Sequence, residues 1–131
     1  MMRWLTVLAA AAALAGCGTE PVRQLQDIFR PIFDFNDGAP ALTAGLKHYE
    51  EGRYAESLKS LQSALGQGLK EGDRVTAHKH VAFIHCASNR ERACREEFRK
   101  ALKVDPGMEL APAEAGHPIW GPIFRSVKAG R

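Results

Sequence analysis

The chain has 131 residues, of which 45% are hydrophobic and 25% are charged, and its formal net charge is +3. This length is enough for one domain with one hydrophobic core, even after removal of a short leader. The 18 basic and 15 acidic residues nearly cancel. The composition therefore argues against a nucleic-acid-binding protein and gives no other strong indication of partners.

Residues 1–16 have the pattern of a secretory signal peptide. A single positive charge at Arg3 is followed by an apolar run and then by small residues. The run is too short to remain as a membrane-spanning helix, so we expect this segment to be removed. The sequence then predicts a tether over residues 17–39 and a helical-repeat domain over residues 40–131.

The end of the signal carries a second pattern. Leu14, Ala15, Gly16 and Cys17 resemble the bacterial lipobox. The resemblance implies cleavage before Cys17 and attachment of several acyl chains such as palmitate, which together would hold the protein at a membrane. The two residues after Cys17 are Gly18 and Thr19, and neither is an aspartate. By the same resemblance this implies the outer membrane, with the chain facing the periplasm. The alternative is an ordinary signal peptide that merely contains a cysteine.

The tether contains a short amphipathic segment that ends at a turn over residues 36–38. Its apolar residues recur at helical spacing, interrupted by Pro31, and are Val22, Leu25, Ile28, Phe29, Ile32 and Phe33. Three interpretations remain open. The segment could be a tether with transient structure, a cap that packs on the repeats, or a segment that docks a partner.

The next two predicted helices form a hairpin. Helix one is expected from near Pro40 to Glu51, because proline suits a first helical turn and Gly52 suits a helix end. Helix two is expected over residues 54–67. Its predicted buried stripe consists of Tyr54, Leu58, Leu61 and Leu65.

A second hairpin and a last helix follow. Helix three is expected from near Asp73 to Ala87. The connection before it, over residues 68–72, is longer than the connections that helical repeats normally have. Helix four is expected over residues 90–104. Pro118 could open a last helix, which would make about five in all. We interpret this helix as a cap that places Trp120 and Phe124 against helix four. The alternative is a binding motif built from Trp120 and the prolines that flank it.

The two hairpins repeat one pattern with a shift of 37 residues. Small residues then match small ones and large apolar residues match large ones, as Gly45 with Ala82 and Leu61 with Phe98. Antiparallel helices approach closely where small side chains face each other, so Gly45 should face Ser57 and, in the second hairpin, Ala82 should face its counterpart Cys94.

The period lies close to the ~34 residues of a tetratricopeptide repeat. The first hairpin resembles that family at Gly45, Tyr49, Gly52, Tyr54, Leu61 and Ala64. The second hairpin is a weaker match because it lacks the glycines. The resemblance implies an all-α fold of two tetratricopeptide-like helical hairpins and a C-terminal capping helix.

Cys86 and Cys94 lie on either side of the predicted turn between helices three and four. In an oxidising periplasm such a pair tends to form a disulfide, which would add about 2–3 kcal/mol on the loop-entropy model. We hypothesise that this bond stabilises the second hairpin. The alternative is two small buried residues at repeat-packing positions.

Three histidines share helix three. His78 and His85 lie on one face but are seven residues apart, whereas metal-binding pairs on a helix usually need a separation of four, and His80 points elsewhere. We therefore predict no metal site, and we interpret His78 and His85 as packing residues.

Helix four carries a basic stripe. The stripe consists of Arg92, Arg95, Arg99 and Lys103. It is interpreted as a solvated face with weak ion pairs, and contact with an acidic partner or with anionic head groups is the alternative.

The sequence contains no catalytic motif, no phosphate-binding loop and no cofactor pattern. We therefore expect neither an enzyme nor a binder of small-molecule substrates. The expected activity is binding of a protein or peptide in a concave groove between helices one and three. The candidate groove residues are Lys47, His48, His78 and Lys79.

A narrower resemblance rests on the lipobox and on three further stretches, at residues 83–86, 94–102 and 113–122. Together they are similar to the TssQ-type lipoproteins associated with type VI secretion in Gram-negative bacteria. The resemblance implies an accessory part that positions or stabilises an envelope-spanning complex. Two alternatives stay open. One is a general periplasmic assembly factor for cell-wall enzymes or outer-membrane proteins, and the other is a stress or metal sensor that uses His78, His85 and the two thiols.

Overall fold

The computed structural model describes residues 36–130. The predicted signal peptide, the predicted lipidation site at Cys17 and the predicted amphipathic segment lie outside the described residues. Within the described part there are six helices and no strand. The helices are α1 (Ala39–Glu50), α2 (Tyr54–Gln67), α3 (Glu71–Ala87), α4 (Glu91–Val104), α5 (Pro112–Ala115) and α6 (Trp120–Lys128). The all-α prediction, with two tetratricopeptide-like hairpins and a C-terminal helix, is confirmed.

The first hairpin, α1 and α2, closes through its smallest residues. Ser57 is fully buried, and its hydroxyl donates a hydrogen bond of 2.8 Å to the carbonyl oxygen of Gly45. A Cβ atom at Gly45 would lie 2.7 Å from a methyl group of Leu61, well inside van der Waals contact. The predicted contact between Gly45 and Ser57 is therefore present, and Leu61 fills the space that the missing side chain leaves.

The second hairpin, α3 and α4, has the same design with a covalent link added. Ala82, Cys94 and Phe98 are fully buried, as their counterparts in the first hairpin are. Cys86 and Cys94 form a disulfide with their Cα atoms 5.2 Å apart. That distance is ordinary for a disulfide. The disulfide that we hypothesised from the sequence is thus present in this structure.

The turns of the two hairpins also correspond. Gly52 and Asn89 lie at matching positions of the repeat, and both have left-handed backbones, with φ of +73° and 58°. Asparagine tolerates this region better than other residues with a Cβ atom. Asn89 therefore takes the place of Gly52 in the second turn. The internal repeat had shown only that the second hairpin lacks this glycine.

Helix α3 is shared by two hydrophobic clusters, which explains its burial on most sides. One cluster joins α3 to the first hairpin and contains Leu42, Leu61, Ala64, Leu69, Ala77, Val81 and Ile84. The other joins α3 to α4 and to the C-terminal residues and contains Ala82, Phe83, Cys86, Cys94, Phe98, Ala101, Met108, Leu110, Phe124 and Val127. Helix α3 is therefore the centre of the fold.

The predicted start of helix three near Asp73 is wrong by two residues, because α3 begins at Glu71. Asn36 fixes this start. Its side-chain oxygen accepts a hydrogen bond of 3.2 Å from the backbone N–H of Lys70, and its amide donates one of 3.1 Å to Asp73. The connection is therefore limited to residues 68–70, and the extra length that the sequence suggested is absent.

Two packing predictions are corrected. Tyr54 was expected in the buried stripe of helix two but is 47% exposed, because it begins that helix and lies against Tyr49 rather than in the core. Trp120 was expected against helix four but stacks on Phe83 of α3 with ring centroids 4.6 Å apart. Phe124 does contact α4, through Phe98 at 5.2 Å.

The C-terminal helix starts later than predicted. It begins at Trp120 instead of Pro118, and Ile119 is 45% exposed. Gly121 lets the end of α5 approach α6 closely, since a Cβ atom at Gly121 would lie 2.3 Å from the carbonyl oxygen of Ala115. Across the described part of the chain, no helix is long and apolar enough to cross a membrane.

Loss of the disulfide should destabilise the protein. The bond spans eight positions of the chain, so its removal in the double variant Cys86→Ala/Cys94→Ala should lower the free energy of unfolding by about 2 kcal/mol. Urea denaturation followed by circular dichroism measures this loss. A reductant should destabilise the parent protein by a similar amount and leave the double variant unchanged. Thiol counting on the denatured, unreduced protein that finds both Cys86 and Cys94 free would contradict the prediction.

Candidate protein-interaction site

A row of aromatic rings crosses the fold from the first hairpin, over α3, to the residues at and just before the start of α6. We call it the aromatic row, and it consists of Tyr54, Tyr49, His80, Phe83, Trp120 and His117. Each ring lies within 6 Å of the next, centroid to centroid. Phe83 is buried, and the other five rings are partly or fully exposed. Exposed aromatic side chains supply large contact area at protein interfaces.

Tyr49 is the centre of the α1 end of the row. Its ring centroid lies 5.5 Å from Tyr54 and 5.0 Å from His80, both with edge-to-face geometry. Burial, and to a lesser degree the nearby Tyr54 and Glu114, raises the pKa of Tyr49. The phenol therefore stays protonated at neutral pH and remains available as a hydrogen-bond donor.

His80 lies beneath Tyr49 and is uncharged at neutral pH. Burial lowers the pKa of His80, and the hydrogen bond to the Thr76 carbonyl oxygen only partly offsets that effect. The Nδ1 atom lies 2.8 Å from this oxygen, so Nδ1 carries the proton and donates the hydrogen bond. The middle of the aromatic row is thus apolar and has no charge of its own.

A short segment between α4 and α6 contributes His117, the last ring of the row, and contacts α3. We call residues 111–119 the strap, and the strap contains α5. Lys79 of α3 donates hydrogen bonds of 2.8 and 3.2 Å to the two carboxylate oxygens of Glu114. Burial opposes ionisation of Glu114, but the hydrogen bonds from Lys79 and from the Ala111 N–H outweigh it and lower the pKa of Glu114.

The structure separates the four residues predicted for the groove. Lys79 lies beside the aromatic row, with its ammonium 5.9 Å from the centroid of Phe83. His78 faces α4 instead, where its Nδ1 atom lies 2.6 Å from a carboxylate oxygen of Glu97. Lys47 is exposed on α1, and His48 lies 3.8 Å from Glu51. Aromatic residues make up most of this face. The sequence placed Tyr49 and Tyr54 at repeat-packing positions and named Trp120 as a cap residue or, alternatively, as part of a binding motif.

Two further sequence interpretations concern charged groups. In residues 36–130 no group of three or more His, Cys, Asp or Glu side chains could hold a metal ion. In the basic stripe, Arg95 pairs with Glu91 at 2.8 Å and Arg99 with Glu96 at 3.4 Å. Arg95 also donates a hydrogen bond of 3.2 Å to Ser126. This arginine therefore links α4 to α6 as well as carrying a surface charge.

The partly buried pair of His78 and Glu97 predicts a loss of stability in acid. Burial opposes ionisation of Glu97, but hydrogen bonds from His78 and Lys100 outweigh it and lower its pKa below the usual 4.5. A carboxylate with a lowered folded-state pKa stabilises the fold above pH 4.5, and this contribution disappears as the pH falls through the lowered value. Glu97→Gln should therefore cost about 1–2 kcal/mol at pH 7. The cost should diminish as the pH falls below 4.5 and through the lowered pKa of Glu97. Urea titrations at neutral pH and through this acid range measure the change, and a cost that is independent of pH would contradict this explanation.

Comparison with known proteins gives one informative similarity. The chain is 31% identical over 81 residues to the photosystem I assembly protein Ycf3 of Synechococcus sp. (strain CC9605). The similarity covers 60% of this chain and 47% of that relative, so the chain spans about half the length of the curated relative it matches. No protein-family model matches the chain. No solved structure matches it.

Proposed function

We propose that this chain is a non-catalytic adaptor that binds a protein partner on the aromatic row. The observation that carries the proposal is the row itself, in which Tyr49 and Tyr54 of one hairpin continue into α3 of the next. A tetratricopeptide-like fold holds these rings on rigid helices. Tyrosine and tryptophan are enriched among the residues that contribute most binding energy at protein interfaces.

The adaptor acts in the assembly of a larger complex. The similarity to a protein named for photosystem I assembly supports an assembly role, and it favours the general assembly factor among the possibilities that the sequence left open. The narrower form of the proposal is an outer-membrane lipoprotein, facing the periplasm, that serves type VI secretion. That form rests on the lipobox and on the resemblance to TssQ-type lipoproteins.

Affinity capture with matched variants tests the binding proposal. Tyr54→Ala removes an exposed ring from the row, whereas Lys59→Ala changes an exposed residue of α2 outside it. From detergent-solubilised envelope, Tyr54→Ala should retain about tenfold less partner than the parent chain, and Lys59→Ala should retain the same amount. Equal retention by both variants would overturn the proposal. Secretion components in the captured fraction favour the type VI role, and wall synthases or barrel-assembly proteins favour the general one.

Labelling with radioactive palmitate tests the membrane anchor separately. The parent chain should incorporate label and remain in the outer-membrane fraction, because several acyl chains together hold a protein at a bilayer. Cys17→Ser should abolish incorporation, and Cys86→Ser should not. Label that persists in Cys17→Ser would contradict lipidation at Cys17.

A further inference from the structure

No residue of the strap is fully buried, and helix α5 has only four residues. The exposed members of the strap are Ala111, Pro112, Ala113, Gly116, Pro118 and Ile119. The strap is held to α6, where His117 stacks on Trp120 and the carbonyl oxygen of Ala115 accepts a hydrogen bond of 3.2 Å from Arg125. Its link to α3 is the ion pair between Lys79 and Glu114, whose side chains are 20% and 24% exposed. A partly exposed ion pair contributes little net stability, so withdrawal of the Glu114 side chain from Lys79 has a small free-energy cost.

Lys79, by contrast, needs a carboxylate. Its ammonium lies beside the face of Phe83 and is mostly shielded from water. In the part of the chain that the structure describes, Glu114 is the acidic residue that pairs with it. Departure of Glu114 would leave a half-buried cation beside the ring of Phe83, and the carboxylate of another segment could take the same position.

We propose that Lys79 and the adjoining aromatic row recognise an acidic segment of the protein partner, and that Glu114 occupies the carboxylate position in the free chain. This inference rests on the proposed adaptor function. Binding exchanges one carboxylate for another at Lys79, so the pairing energy of the site changes little. The strap thereby makes binding selective, since a segment without a carboxylate cannot replace Glu114.

A peptide that copies the strap provides the probe. A fluorescein-labelled peptide with the sequence of residues 110–120 is titrated against the full chain in mild detergent, and binding is followed by fluorescence anisotropy. A second peptide carries glutamine at the position of Glu114. The protein variants are Glu114→Ala, which empties the site, and Glu109→Ala, which removes the same charge from an exposed neighbouring position.

The acidic peptide should bind Glu114→Ala about fivefold more tightly than the parent chain, a change that corresponds to about 1 kcal/mol. Glu109→Ala should show no gain, and the glutamine peptide should show none with any variant. Adding Lys79→Met to Glu114→Ala should abolish the gain, while circular dichroism should show that every variant remains folded.

Equal affinity of the acidic peptide for Glu114→Ala and the parent chain would overturn the inference. So would a gain that survives Lys79→Met, or an equal gain for the glutamine peptide. These failures differ from failure of the proposed function. If peptide binding does not change but Tyr54→Ala still loses the captured partner, the aromatic row binds a partner and Lys79 does not select an acidic segment.

Discussion

Phe98→Ala is expected to lower the free energy of unfolding by about 4 kcal/mol. Phe98 is fully buried, and its ring packs edge-to-face on Phe83 of α3 at 6.0 Å and on Phe124 of α6 at 5.2 Å. Truncation leaves a cavity among three helices that the rigid backbones around it cannot close. Urea denaturation followed by circular dichroism at 222 nm measures the loss.

The conservative variant Phe98→Leu should cost only about 1–2 kcal/mol, because it keeps most of the buried volume. Ile119→Ala, at a residue that is 45% exposed, should change stability by less than about 1 kcal/mol. Because α3 belongs to both hydrophobic clusters, Phe98→Ala should still unfold in one transition. A separate transition for the first hairpin would show that the two clusters are independent.

Gly45→Val should have the second-largest effect and lower stability by about 3 kcal/mol. Its Cβ atom would meet both a methyl group and the Cγ atom of the fully buried Leu61, at 2.7 and 2.8 Å. Relief of this overlap requires α1 and α2 to separate. Separation would in turn weaken the hydrogen bond from Ser57 to the carbonyl oxygen of Gly45.

Gly66→Val is the matched control, since it introduces the same side chain into a helix with no atom within 4 Å of the new Cβ position. Its stability should stay within about 0.5 kcal/mol of the parent value, because valine and glycine differ little in helix propensity. Thermal or urea unfolding of both variants makes the comparison. A Gly45→Val protein as stable as Gly66→Val would show that the hairpin does not depend on the small residue.

The fold could be predicted from the sequence because its main contacts depend on residue size at fixed spacing. Gly45 and Ser57 in the first hairpin, and Ala82 and Cys94 in the second, are small for a steric reason that the repeat reveals. The left-handed turn at Asn89 was also within reach, since asparagine stands where the repeat has Gly52. An alignment that scores only residue similarity overlooks this correspondence.

The binding face was less predictable, because a helical pattern does not say which neighbour a side chain meets. His78 and Lys79 are adjacent in sequence, yet His78 pairs with Glu97 of α4 and Lys79 with Glu114 of the strap. Both partners are distant in sequence. Trp120 was placed on the wrong helix for the same reason: the turn before α6 directs its ring to Phe83, and no local pattern encodes that direction.

The disulfide indicates how the second hairpin supports the binding face. Cys86 and Cys94 hold α3 against α4, and α3 supplies both His80 and Phe83 to the aromatic row. A fixed α3 keeps these rings at constant distance from Tyr49. Binding energy is then not spent on ordering the site, which is the advantage of a preorganised interface.

Photo-cross-linking in intact cells tests the central claim, namely that the aromatic row contacts a protein partner, most directly. A photoreactive phenylalanine analogue is introduced at position 54 in the row or at position 59 on the exposed side of α2. The account predicts a discrete adduct of higher mass from position 54 and none from position 59. An adduct from position 59 alone, or no adduct from position 54, would contradict it.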